Sequence, residues 1–149
     1  MAKLDDVDFA ILKLLQENGK KPYTEIAKHI EVSEGTIRTR ISRMLQDGVF
    51  EFIIHIEPDA IGLQVQAIIG ITTKLGQQEA VARHLNQYPE VRFVAAFSGR
   101  HDLILQAYFK SNEDLVHFVN KELAKLDGIV SADVSIELKK YKDTFSYMA

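Results

Sequence analysis

The chain has 149 residues, 46% of them hydrophobic and 26% charged, enough apolar material for one or two small packed domains and too much for a disordered chain. It contains no cysteine, which excludes a disulfide scaffold, a cysteine metal site and a thiol nucleophile. A net charge of −3 gives no overall basic field, and no run of 18 apolar residues or signal-type leader points to a membrane or to secretion, so a cytoplasmic location is expected.

The charge is unevenly used along the chain. Residues 1–50 hold eight basic and eight acidic side chains, and residues 51–149 hold ten and thirteen. A first helix opens at LDDVD, with Asp5 as N-cap and acids in the first turn, where the helix dipole favours them. Val7, Ile11, Leu12, Leu14 and Leu15 supply its buried face, and Asn18-Gly19 ends it. A second helix starts near Tyr23 or Thr24, with Ile26, Ala27 and Ile30 on one side. The turn runs through Glu31 and Val32, and Ser33 stands where an N-cap belongs. The third helix carries Ile37, Ile41, Met44 and Leu45 at the spacing of a buried stripe and stops at Gly48.

The other face of this third helix has the chemistry for reading duplex DNA. It presents Glu34, Gly35, Thr36, Arg38, Thr39, Ser42 and Arg43 behind the Ser33 cap, with Arg40 on the flank. Arginine can bond guanine O6 and N7 together, and threonine offers a hydroxyl to a base or a methyl to thymine. Thr36, Arg38 and Thr39 are therefore expected at bases, and Gly35 lets the backbone approach closely. Arg40 and Arg43 are assigned either to phosphates or to pairs between helices. Two short helices with a tight turn form the arrangement that lays one helix in the major groove.

The run VFEFIIHIE at 49–57 is rich in β-formers and is expected to be a strand, the wing of a winged helix. Pro58 and Gly62 then punctuate a short hinge within 51–65. Beyond it the pattern reads strand 66–74, helix 77–88, strand 91–98, strand 102–109, helix 112–126 and a last strand in IVSADVSIEL. Such a βαββαβ order makes a four-stranded antiparallel sheet with both helices on one face, an α+β ferredoxin-like domain over 66–149. The other sheet face lacks a cover in the chain and is expected to pair with a second copy in a homodimer. His29, His55, His84 and His117 show no metal-ligand spacing, and no cofactor motif is present.

The opening LDDVDFAILKLLQENGK, the helix pair EIAKHIEVSEGTIRTRISRMLQDGVF, the hairpin SGRHDLILQAYF and the end LDGIVSADVSIELKKYK stand in one order. In that order the chain resembles the Lrp/AsnC (leucine-responsive, asparagine-regulator) family of transcription regulators. The resemblance implies a DNA-binding domain over 1–50, an effector-binding and oligomerising domain over 66–149, and dimers that assemble into octamers. It implies an amino-acid effector near the loop Ser98, Gly99, Arg100, His101 and Asp102. Backbone N–H groups around Gly99 suit a carboxylate, and Asp102 suits an ammonium group or else caps the turn. His101 stands where the family commonly has tyrosine or phenylalanine; it is expected to be an exposed turn residue, with a pH-sensitive response as the alternative. Where the family often has two threonines near the ligand, this chain has Ala132 and Val134, which removes hydroxyl donors. An effector-independent, nucleoid-associated DNA organiser is therefore the alternative function. A haem-pathway decarboxylase of related architecture is a remote one.

Overall fold

Apolar residues three and four apart close the first three helices over one small core. The computed structural model describes residues 3–148. Helices α1 (Asp6–Glu17), α2 (Tyr23–Ile30) and α3 (Glu34–Gln46) bury Ile11, Leu14 and Leu15 against Ile26 and Ala27 and against Ile37, Ile41 and Met44. Ala27 keeps the α2–α3 crossing close. Glu31 makes the turn between them with φ 64°, in the left-handed region, and the Val32 N–H returns to the Ala27 carbonyl at 3.1 Å. Leu45, expected in the buried stripe, is 38% exposed, because Ile37, Ile41 and Met44 already fill the seam and α3 is running out past it.

The segment expected to be a wing is not a strand. Residues 50–57 belong to no helix or strand, and Phe50 meets Phe52 edge to face at 5.1 Å. β-formers favour a pleated surface to pack on, and among the described residues none offers this segment a pairing edge.

The chain forms two compact units, and their membership differs from the 1–50, 51–65 and 66–149 of the sequence reading: residues 51–55 go with the first unit and the second begins at Ile56. Residues 142–148, grouped there with the second domain, pack with the three helices, while the second unit runs from Ile56 to Tyr141. The Gln16 side-chain amide donates to Ser146 Oγ at 2.8 Å, and its carbonyl accepts from the Tyr147 N–H at 2.8 Å. The Phe145 ring lies 5.1 Å from that of His55.

The second unit is the βαββαβ sheet. Its elements are β1 (Val65–Thr73), α4 (Gln78–Leu85), β2 (Val91–Ala96), β3 (Leu103–Phe109), α5 (Asn112–His117) and β4 (Ile129–Ile136). α4 ends at Leu85, three residues short of the expected boundary. α5 tightens and widens rather than continuing evenly, through a π turn at 118–122 and a 3₁₀ turn at Leu123–Lys125. All pairings are antiparallel and the order is β2-β3-β1-β4. Ala67, Ile69 and Ile71 of β1, with Leu103, Leu105, Ala107 and Phe109 of β3, meet Val81 and Leu85 of α4 and Leu115 and Phe118 from the second helical segment.

Strand alternation sends the intervening residues to the opposite face. Gln66, Ile68, Gly70 and Thr72 stand there beside Ile104, Gln106 and Tyr108, with Ile68 42% and Phe93 44% exposed. No helix among the described residues is long and apolar enough to cross a membrane.

Candidate nucleic-acid interface and effector loop

Ser33 begins the interface. Its hydroxyl accepts from the Thr36 N–H at 3.1 Å and shares a hydrogen bond with Thr36 Oγ1 at 2.8 Å, which fixes both side chains at the start of α3. Nothing but Ser33 lies within 4 Å of where a Gly35 side chain would start, so the backbone is open to approach there. Thr39 and Ser42 are exposed. Ser33, Gly35, Thr36, Thr39 and Arg40 line one shallow depression. Arg38 stands clear of it on the exposed face, its Nη2 donating to Glu34 Oε1 at 3.0 Å and its guanidinium 5.2 Å from the centre of the Tyr23 ring.

Arg40 and Arg43 turn to the protein. Arg40 Nη1 donates to Asp5 Oδ2 at 2.5 Å and to Asp8 Oδ1 at 3.2 Å, and Arg43 Nη2 donates to Asp8 Oδ2 at 2.7 Å. Of the two roles open to them, these arginines take the pair between helices. Asp8 is 1% exposed. It also accepts from the Asp5 backbone N–H at 3.1 Å, while Asp5 accepts from the Asp8 N–H at 3.0 Å, a reciprocal capping box on α1. The side-chain bond from Arg40 is the chief reason the Asp5 carboxyl falls from 3.8 to about 2, and the same bond raises Arg40.

The sequence reading missed Asp8 and Tyr23. The D-x-x-D spacing of Asp5 and Asp8 was a capping-box signal, and Arg40 and Arg43, three apart, share one helix face.

The hairpin between β2 and β3 carries the second group. Ser98, Gly99 and Arg100 are exposed, and Gly99 holds φ 117°, which a side chain would oppose. Asp102 is tied to β1. Its Oδ2 accepts from the Thr73 N–H at 2.7 Å and from Thr73 Oγ1 at 3.3 Å, and its own N–H donates to the Ile71 carbonyl at 2.9 Å. Its carbonyl accepts from Gln78 Nε2 at 2.8 Å. The residue therefore staples the hairpin to β1 and α4 rather than capping its own turn.

His101 is not an exposed turn residue. Its ring lies on Gly70, where a Cβ would come within 2.4 Å of Cδ2, and its Nε2 is 3.5 Å from Asp133 Oδ2. Its Nδ1 is buried without a partner. Ala132 and Val134 pair with Ile71 and Ile69 and pack against the helix-side core. The two-residue period puts Ser131, Asp133 and Ser135 on the other face, where Asp133 meets the hairpin histidine. No group of three or more His, Asp or Glu side chains among the described residues is placed to hold a metal.

Two family models match the chain in tandem: the AsnC-type helix-turn-helix domain over residues 4–45 and the Lrp/AsnC ligand binding domain over residues 66–147. The chain belongs to the Lrp/AsnC family. An uncharacterised HTH-type transcriptional regulator of Pyrococcus horikoshii is 36% identical over 135 residues, covering 90% of this chain and 85% of that protein. The HTH-type transcriptional regulator FL11 of Pyrococcus furiosus is 34% identical over 142 residues, 95% and 93% of the two chains. A transcriptional regulator of Neisseria meningitidis, solved as its L-Met complex, superposes with a TM-score of 0.92 at 29% identity, covering 98% and 97%. AsnC of E. coli gives 0.90 at 26%, covering 97% and 99%.

As a member of this family the chain is a DNA-binding transcriptional regulator, and the α2–α3 pair is its helix-turn-helix. The decarboxylase alternative falls, because the relatives are regulators rather than enzymes.

Three outcomes follow from this geometry. Asp8→Asn leaves Arg43 without a counter-charge and Arg40 with Asp5 alone, but the two are 40% and 25% exposed and partly rehydrate. The expected loss is therefore about 2–3 kcal/mol, below that of a fully buried pair, read by urea unfolding. For Asp5 the depressed pKa means that its ion pair stabilises fully above the unfolded value of 3.8 and fades as pH falls toward about 2. Wild type and Asp5→Asn should accordingly differ in stability at neutral pH and converge over that acid window. Gly70→Ala should cost about 1–3 kcal/mol by overpacking His101, and adding His101→Ala should recover most of it in thermal melts.

Proposed function

We propose that the chain is a sequence-specific, dimeric regulator in which α3 reads the major groove and the sheet unit senses a small zwitterion. The exposed face of α3 carries this reading: Thr36, Arg38, Thr39 and Ser42 remain available to DNA, while Arg40 and Arg43 hold the helix in place. With those two arginines neutralised by Asp5 and Asp8, the unit binds duplex modestly alone. Two copies raise affinity and demand two half-sites.

The uncovered sheet face, with Ile68 and Phe93, and the unladdered segment 50–57 support self-association, first as a dimer and then as an octamer of four dimers. The L-Met complex of the neisserial neighbour supports an amino-acid effector, here with the backbone around Gly99 facing its carboxylate. In the cell such a protein is cytoplasmic and bound to the nucleoid.

A second reading has its own support. The Asp102 carboxylate is already engaged by Thr73, and Ala132 and Val134 offer no hydroxyls. Both facts favour an organiser that bends DNA without an effector.

The test begins by selecting duplexes from a random pool with the wild-type protein. Fluorescence anisotropy then measures their binding across a salt series, with and without mixed amino acids. Arg38→Ala should lose about 1–3 kcal/mol on the selected duplex. An unchanged affinity would remove Arg38 from base reading. A shift with the amino acids supports the effector; a wild-type affinity that ignores them supports the organiser.

A further inference from the structure

The proposed DNA reading leaves one contact at the interface unused: the Tyr23 ring beneath Arg38. Resting on that reading, we propose that Tyr23, at the start of α2, is a positioning residue that holds the Arg38 guanidinium ready for a base.

Arg38 is 63% exposed, and an arginine of that exposure ordinarily samples many rotamers in water. Here two groups confine it from different helices. Glu34, one turn earlier on α3, accepts from its Nη2 at 3.0 Å, and the Tyr23 ring faces its guanidinium carbon at 5.2 Å from the ring centre. A planar guanidinium over a tyrosine face is attracted by the ring quadrupole, and stacking leaves its in-plane N–H groups pointing outward. Glu34 occupies one proton of Nη2. The remaining N–H groups keep the donor pair that guanine O6 and N7 require.

Tyr23 is itself held. It is partly buried against the core that contains Ile26 and Ile37, so its ring is a fixed platform and not a second mobile side chain. Confining a long side chain before binding removes an ordering cost otherwise met at the DNA. The gain belongs only to sequences on which Arg38 finds its base. Tyr23 therefore raises discrimination without touching DNA, and its effect passes wholly through Arg38.

The experiment is a double-mutant cycle on the full chain, using the duplex selected by wild type and a scrambled duplex of equal length. Tyr23→Leu fills the core position but removes the aromatic face, and Tyr23→Phe keeps the face and removes only the hydroxyl. Tyr23→Leu should weaken the selected duplex by about 3- to 10-fold and leave the scrambled one unchanged. Tyr23→Phe should match wild type on both. In an Arg38→Ala background, Tyr23→Leu should change nothing further. Urea unfolding of each variant checks that the helices remain formed at the assay temperature.

Equal losses in the two backgrounds would overturn the proposal, since Tyr23 would then act without Arg38. A loss in Tyr23→Phe as large as in Tyr23→Leu would also overturn it, by placing the hydroxyl on DNA. So would a Tyr23→Leu variant that binds like wild type while Arg38→Ala does not. A wild-type protein that enriches no duplex would instead sink the DNA reading on which the proposal stands.

Discussion

The Asp8 carboxylate, closed off from water between α1 and α3, is the constraint on which the DNA-facing surface depends. Burying a charge costs several kcal/mol unless partners replace its water. Asp8 receives three replacements: the Asp5 backbone N–H, Arg40 and Arg43. The first comes from the cap of its own helix and the two arginines come from α3, so satisfying the charge ties α1 to α3. Apolar packing among Ile11, Ile37 and Ile41 supplies the attraction but tolerates some sliding. The two arginine bonds narrow that freedom on the same helix that carries Thr36 and Arg38.

This network also divides labour among the arginines of α3. Arg40 and Arg43 are spent on internal order. Their charge is cancelled nearby, which keeps the helix from acting as an indiscriminate cation. Arg38, on the exposed side, pairs with Glu34 of its own helix and lies over Tyr23, and the proposed reading gives it to recognition. In the sheet unit the same economy appears in Asp102, whose carboxylate and backbone join the β2–β3 hairpin to β1 and α4. The loop that the family resemblance points to is thus anchored at one end and free at Ser98, Gly99 and Arg100.

Local pattern made much of the architecture readable. The helix pair follows from Ile26, Ala27, Ile37, Ile41 and Met44, and the βαββαβ order from alternation in β1 and β3 with helical spacing between. Features that depend on distant partners were not readable. Residues 49–57 have the composition of a strand, but a strand exists only where another edge accepts it. The bond between Asp8 and Arg40 spans 32 residues; the sequence offers Arg40 for a pair between helices but does not name its partner. Ala132 and Val134 were matched by position along the chain, whereas which face they occupy depends on register with Ile71 and Ile69. His101 looked like a turn residue because the sequence does not show that Gly70, on another strand, leaves a seat for its ring.

The return of residues 142–148 to the first three helices gives the chain an order of assembly. The Gln16 amide finds its partners in Ser146 and Tyr147, which leave the ribosome only after the whole sheet unit has been synthesised. The three helices are complete early in synthesis and can close their core at once, since domains tend to fold as they emerge. Their final side-chain bonds are made last. The DNA-binding unit is therefore finished by residues that follow the whole sheet unit, which makes an intact Gln16 clasp a record that translation has run through both units.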